Sequence, residues 1–384
     1  MKYIAFYDTD DMIGENRSVA PSASNVVRYM AEIISEFTNI DIICPSRTLN
    51  KRGIYRGRTT AVSDRITLTH PFTFGVRTPI GRALSALWAR FWLFCYLLLR
   101  THRGEQIMVY HSLAVMKTVK LLKKLKHLTV ISEVREIYTD VRRDYASLRN
   151  PGKNDRKIEV SCIESADKFI FPSELLRAEF NITGKTYVIA PAIYKPEPHL
   201  ADKNNDGKIH VVYAGTLQPE KGAIAAIAAA EYLGKHYHIH ILGYGSNEDI
   251  RMINDAIHNV MNKTEATVTY DGMLRGDEFK IFLQSCHIGL ATQDPSGGFN
   301  NTSFPSKVLT YLANGLDVLS ANIAAVKQSP VGEHIHYYDK QEPRNIAKAI
   351  MRICKKNFVD NRIVLHSLHT NLIRELSKLI VGEV

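Results

Sequence analysis

Cysteine is scarce and scattered in this 384-residue chain. Cys44, Cys95, Cys162, Cys286 and Cys354 form no CxxC pair and are odd in number, which argues against both a disulfide framework and a zinc site. Short-period repeats and low-complexity tracts are absent. So are RNP aromatics, zinc-finger spacings and an Arg-rich tail, and nucleic acid is therefore not an expected partner. The opening run Met1–Phe6 leads straight into Asp8, Asp10 and Asp11 and reads as a short strand, not a signal peptide. A reducing cytoplasm is the expected compartment.

Apolar residues make up 45% and charged residues 23%, the balance of a folded chain whose length suits two domains. Short apolar runs alternate with helical stretches. Tyr3–Tyr7, Ile40–Cys44, Gln106–Tyr110, Leu128–Ser132, Lys168–Phe171 and Tyr187–Ile189 read as buried parallel strands, with helices such as Asn25–Ser35 and Leu113–Leu125 between them. His210–Ala214, His238–Leu242, Thr267–Tyr270, Ile288–Ala291 and Val318–Ser320 repeat the rhythm. Such alternation predicts doubly wound α/β domains. Pro191, Pro196, Pro198 and the polar run Asp202–Lys208 have linker composition. Domains are expected over 1–195 and 196–360, with a cleft between them as the place for a ligand. Residues 361–384, carrying Leu365, Leu368, Leu372, Leu376 and Leu379, form an amphipathic helix able to pack back on the first domain.

The formal charge is +10, and most of it is concentrated. Between Val76 and Lys168 stand 18 Lys and Arg against 9 Asp and Glu, a basic patch suited to an anionic membrane or a phosphorylated substrate. Inside it, Arg82–Arg103 holds Leu84, Leu87 and Trp88, the unbroken apolar run Phe91–Leu99, and arginines at 82, 90, 100 and 103. That run falls short of the roughly 20 apolar residues of a bilayer span. Two readings apply, a core helix or a helix lying in a membrane interface, and they suit different faces of one helix.

Two segments point to a phosphate. In Val211-Val212-Tyr213-Ala214-Gly215-Thr216-Leu217-Gln218-Pro219-Glu220-Lys221-Gly222 a strand ends in a glycine turn, and a helix starts just after a lysine. Free N–H groups at a helix start beside a cation favour an anion. In the run 300–320, Pro305 suits a first helical turn, Ser303 its cap and Gly315 its end, so Ser306 and Lys307 sit at a second helix start.

These segments resemble the GT-B glycosyltransferases of the family 4/group 1 kind, many of which build bacterial surface polysaccharides. The resemblance covers nearly the whole chain and is strongest from Val211 to Ser320. Tyr213–Gly222 is similar to the G-x-L-x-x-E-K-G segment, Gly243-Tyr244-Gly245 to the G-x-G turn, Tyr270-Asp271-Gly272 to the base-contacting turn, and 304–315 to the P-S-K-x-x-E-Y-x-x-x-G helix. It implies an α/β fold of the GT-B type, two Rossmann-like domains facing a central cleft. The first would hold the acceptor and the second a nucleotide-sugar donor, a UDP-sugar above all, with no further cofactor. It implies that Lys221, beside Gly215 and Thr216, contacts the donor diphosphate and that Ser306, Lys307 and Val308 hold its phosphates. Asn301, Thr302, Ser303 and Phe304 would border the donor sugar, with Tyr244, Gly245 and Gly272 near base and ribose.

The chain departs from the pattern at Thr216, where relatives often carry an arginine, and at Thr310, where they carry the ribose glutamate. An arginine's bidentate grip is not replaced by lysine, although Lys307 supplies charge. In the first domain, His111 follows one strand where the family often has histidine, and Glu133 follows the next. Glu133 is the candidate general base, with a structural ion-pair group shared with Arg135 and Glu136 as the alternative. Asn16, Arg17 and Ser18 match the family's acceptor loop in position. Asp8-Thr9-Asp10 spells an acidic triplet but reads as a loop. His236, His238 and His240 alternate along a strand; two on one face permit a metal, but no third ligand is in view, and no metal is expected.

The expected activity is metal-independent transfer of a sugar from a nucleotide diphosphate sugar to a hydroxyl of a lipid-linked glycan, at the cytoplasmic face of the membrane, in cell-surface polysaccharide synthesis. The alternative is a GT-B scaffold or binding subunit without transfer activity.

Overall fold

The computed structural model describes residues 1–139, 154–191, 193–294, 304–355 and 358–382. They fall into two compact units, one of Met1–Ala190 with Leu372–Val384, the other of Pro191–Asn371.

The first unit contains β1 (Lys2–Ile4), β2 (Ile40–Ile43), β3 (Ile54–Tyr55), β4 (Arg58–Ser63), β5 (Ile66–His70), β6 (Thr73–Phe74), β7 (Gln106–Tyr110), β8 (Thr129–Glu133), β9 (Lys168–Phe171) and β10 (Thr186–Ile189). Eight of them make one sheet in the order β10-β9-β8-β7-β1-β2-β5-β4, and β3 and β6 form a separate antiparallel ribbon. Every pair in the large sheet is parallel except the edge pair β4–β5. The parallel strands are apolar along nearly every position because helices cover both faces. Ile4, Ile107, Val109, Val130, Phe169 and Phe171 pack in one cluster with Leu93 and Leu97 of the helix Pro79–Arg100. That helix begins where Thr78 accepts a hydrogen bond from the Gly81 N–H at 3.1 Å and Pro79 presets the first turn.

The second unit is a six-stranded parallel sheet built from β11 (Ile209–Thr216), β12 (Tyr237–Tyr244), β13 (Thr267–Gly272), β14 (Ile288–Ala291), β15 (Asp317–Ala321) and β16 (His336–Tyr338). Its order is β13-β12-β11-β14-β15-β16. Both units are Rossmann-like. In each, the connections reverse direction at one central strand: β1 lies between β2 and β7, and β11 between β12 and β14. Ligands of open α/β sheets bind beyond the carboxyl ends of the strands at this switch point. In the second unit that is where Gly215, Thr216 and Lys221 lie.

Candidate functional site

At the second unit's switch point, β11 and β14 pair only through Val211 with Ile288 and Val212 with Gly289. Beyond that the Tyr311 hydroxyl takes the place of the ladder. It accepts from the Ala214 N–H at 2.8 Å and donates to the Leu290 carbonyl at 3.1 Å. Gly289 makes room for the ring, since a Cβ there would stand 2.3 Å from Tyr311 Cγ. The Tyr213 hydroxyl lies 2.8 Å from the Thr216 carbonyl and 2.9 Å from that of Lys221, which curls the following loop back over its own strand. Gly222, at φ +95°, closes the curl. A Cβ there would lie 2.2 Å from the Thr292 carbonyl, and Thr292 Oγ1 donates to the Gly222 carbonyl at 2.7 Å. The loops after β11 and β14 are thereby joined.

Lys307 is the group this arrangement concentrates on. Its Nζ sits 4.1 Å from the Tyr213 ring centroid and 3.2 Å from the Lys221 carbonyl, beside Gly215. Burial, reinforced by the charge of Lys221, lowers its pKa to about 7. Among the described residues no carboxylate pairs with it. The helix Ser306–Ala313 starts after Pro305, so the N–H groups of Ser306 and Lys307 have no intrahelical acceptor. Pro305 is thus the cap residue and not part of the first turn, and among the described residues no side chain caps the helix.

Several expectations change at this point. Val308 is buried and its N–H donates to the Pro305 carbonyl at 3.1 Å, which removes it as a backbone phosphate donor. Phe304 is nearly buried and supports the helix start. Thr310 Oγ1 donates to the Ser306 carbonyl at 3.2 Å, turned onto its own helix. Tyr244, half exposed, ends β12 with Gly245 after it, and Gly272 ends β13; both lie at the carboxyl edge. Asn301, Thr302 and Ser303 lie outside the described residues.

In the first unit, Glu133 ends β8 and His111 follows the neighbouring β7, and both are buried. The Glu133 carboxylate is fully enclosed. One oxygen accepts from the Tyr3 hydroxyl and the other from Arg135, whose Nε stands at 2.8 Å. Burial, then the Glu133 charge, holds the Tyr3 phenol well above its ordinary pKa. The geometry therefore favours the ion pair with Arg135 over the general base. His111 donates from Nε2 to Glu159 Oε1 at 2.7 Å, and Glu159 also accepts from the N–H groups of Tyr138 at 2.8 Å and Thr139 at 2.9 Å. Burial works to raise the Glu159 pKa, but these hydrogen bonds outweigh it and the carboxyl stays below its usual range. Nδ1 of His111 is left as an acceptor, with no partner among the described residues. Glu159 was not singled out by the sequence, because it lies 48 positions from His111 on a helix, Asp155–Glu164, of ordinary composition.

The proposed acceptor loop is also otherwise engaged. The Arg17 guanidinium is buried and bonds Glu15 at 2.7 Å and the carbonyls of Ser46 at 3.1 Å and Pro71 at 3.3 Å. Ser18 borders a cavity of about 190 Å³ lined by Arg47, Arg90, Phe6, Ala89 and Leu93. Arg90 and Leu93 belong to the helix Pro79–Arg100. At 22 residues it is long and apolar enough to cross a bilayer, a correction to the shorter run expected. Ser85, Ala89, Leu93 and Leu97 form its buried stripe, while Ile80, Leu84, Leu87, Phe91 and Leu99 are exposed. Trp88 anchors the boundary, its indole N–H donating to the Phe72 carbonyl at 2.8 Å.

A third histidine joins the pair expected on β12. His210 of β11 lies beside His238 and His240, so a three-ligand set exists where two were in view. His236 is exposed, just before the strand.

No family model matches the sequence, and no curated protein matches it. Solved structures do. An apo structure of OtsA is similar with a TM-score of 0.65 and 11% identity over 99% of this chain and 98% of that one. The E. coli trehalose-6-phosphate protein bound with UDP-2-fluoro glucose matches with a TM-score of 0.62 and 10% identity, over 98% and 96% of the two chains. Anabaena HepE in complex with UDP matches with a TM-score of 0.62 and 11% identity, over 100% of both. The fold is GT-B.

Proposed function

We propose that this chain is a nucleotide-sugar-dependent glycosyltransferase whose donor diphosphate binds between Lys221, Lys307 and the start of the helix Ser306–Ala313. One observation carries the reading: a partly buried lysine held near neutrality, without a carboxylate partner among the described residues, at a Rossmann-like switch point. A diphosphate supplies the missing counter-charge. As the glycosyl bond breaks, negative charge grows on the leaving diphosphate, and cations and helix N–H groups already in place stabilise it. We propose that this is achieved by lysines in place of a metal ion. The structures similar to this one that hold UDP or a UDP-sugar support a UDP-sugar as donor.

For the acceptor we propose a lipid-linked glycan in cell-surface polysaccharide synthesis, met at the cytoplasmic membrane face. The exposed apolar stripe of Pro79–Arg100 and its arginines support that reading. The cavity beside it offers Arg47 and Arg90 next to apolar walls, a lining suited to an anionic headgroup on a lipid. His111, oriented by Glu159, is the proposed catalytic group of this unit. Glu133 positions the strand end.

Calorimetric titration with UDP-, GDP- and TDP-sugars tests the donor site, with micromolar to millimolar binding expected for one of them. A folded protein that binds none favours the second reading, a scaffold without transfer, which the inward-turned Thr310 supports. Flotation with anionic liposomes tests the membrane claim. Wild type is expected to float and an Arg90/Arg100/Arg103→Glu variant to stay behind; equal failure of both removes the claim.

A further inference from the structure

We propose that His210, His238 and His240 form a binding site for a divalent transition-metal ion of the zinc class, stapling β11 to β12 at the end of the sheet away from the donor site. One ring nitrogen from each of the three lies within 4.8 Å of the others. His210 stands directly opposite His238 in the parallel register, and His240 follows two residues on, so all three side chains share one face. His210 and Thr216 are six residues apart on one strand, which separates the two sites by about 20 Å.

The hydrogen bonds fix the proton on each ring. His210 Nε2 meets Asp206 at 3.0 Å and His240 Nδ1 meets Asp271 at 3.1 Å. A carboxylate only accepts, so both nitrogens carry the N–H. Thr269 Oγ1 donates to Asp271 at 2.9 Å and thus accepts from His238 Nε2 at 3.0 Å. When the rings are neutral, the opposite nitrogen of each carries a lone pair. Two of these, His210 Nδ1 and His240 Nε2, face each other 2.9 Å apart. Lone pairs at that distance repel unless a cation lies between them. A single proton bridges two nitrogens, whereas a metal ion collects one from each of the three.

Histidine ligands of metals typically give their second N–H to a carboxylate or other acceptor, which sets both tautomer and aim. Asp206, Asp271 and Thr269 do this for the three rings. Metal–nitrogen bonds of about 2.0–2.1 Å place tetrahedral ligands about 3.4 Å apart, within the range spanned by the 2.9 Å between His210 and His240 and the 4.8 Å that bounds the set. Lys208, bonded to Thr267 at 3.2 Å, opposes a cation, but two carboxylates outnumber it. His210 and His240 are nearly buried, and the half-buried His238 offers the way in.

The test uses tag-free full-length protein stripped with a chelator, titrated with Co2+ and Zn2+. One equivalent of Co2+ should bind with visible d–d absorption, and Zn2+ should raise Tm by several degrees. His240→Gln should abolish both. His238→Asn, at the most accessible ligand, should keep the far-UV circular dichroism of wild type and weaken Co2+ binding at least tenfold. Absence of metal uptake by the stripped wild type at micromolar concentrations overturns the site. So does uptake that His238→Asn leaves unchanged.

Discussion

The two units treat buried charge in opposite ways. In the first, the carboxylate that ends β8 has its partners in place, Glu133 with Arg135 and Tyr3. In the second, Lys307 is drawn beneath the loop of Lys221 with an aromatic face and a carbonyl but, among the described residues, no carboxylate. A cluster that satisfies itself rigidifies the fold and has little left to offer a ligand. A cation left short of counter-charge carries an electrostatic cost that an anion removes on binding. The contrast separates Glu133, which holds a strand end in place, from Lys307, which is proposed to take substrate.

The largest effect should come from opening the closed cluster. Glu133→Ala leaves Arg135 buried without its carboxylate, and we expect a loss of about 3–5 kcal/mol in urea unfolding. A loss under about 1 kcal/mol would mean that water reaches the pair and that the contrast is overstated. Next, Lys221→Ala should weaken UDP-sugar binding by roughly 1.5–3 kcal/mol with stability nearly unchanged; unaltered affinity removes Lys221 from the site. Third, binding should depend on pH with a definite sign. A bound diphosphate raises the Lys307 pKa above its free value of about 7, so a proton is taken up on binding above neutrality. The affinity for UDP-glucose should fall between pH 7 and 9 by up to about tenfold per unit. A flat profile in calorimetry would show that Lys307 keeps its free pKa in the complex. The smallest effect is the most telling. The unfolded chain holds more protons on Lys307 than the folded one between about pH 7 and 10, so this group adds stability as pH rises and subtracts it at pH 7 and below. Lys307→Met should therefore raise stability at pH 7 by about 1 kcal/mol while weakening donor binding, the trade expected of a functional residue. Destabilisation instead would assign Lys307 to the self-satisfied class.

The alternation of apolar runs made the central strands legible. Gln106–Tyr110, Lys168–Phe171 and Ile288–Ala291 lie where their continuous burial predicts. The edge was less readable. In β4, Arg58–Ser63 is polar and mostly exposed and has only β5 to pair with, so nothing in its composition marks a strand. The site was legible as segments but not as contacts. Lys307 could be named from its place after Pro305, whereas its position over Tyr213 comes from strands and a helix far apart in sequence. The same holds for Glu159 under His111, and for His210, 30 positions before His240 and joined to it only by strand register. Arg17 shows the converse: a matching position whose side chain is spent on the carbonyls of Ser46 and Pro71.

Tyr311 gives the second sheet a property that no ligand contact reveals. Its phenol stands where a peptide group would otherwise bridge two strands, so one hydroxyl spans β11 and β14 between Ala214 and Leu290. The ring rests against Gly289, on the strand, and belongs to the helix that carries Ser306 and Lys307. Position 289 therefore acts as a gauge for the crevice. A methyl group added there must push the ring outward, and the helix start travels with it. The spacing of the proposed anion grip is set from underneath, by a residue that would never touch the anion.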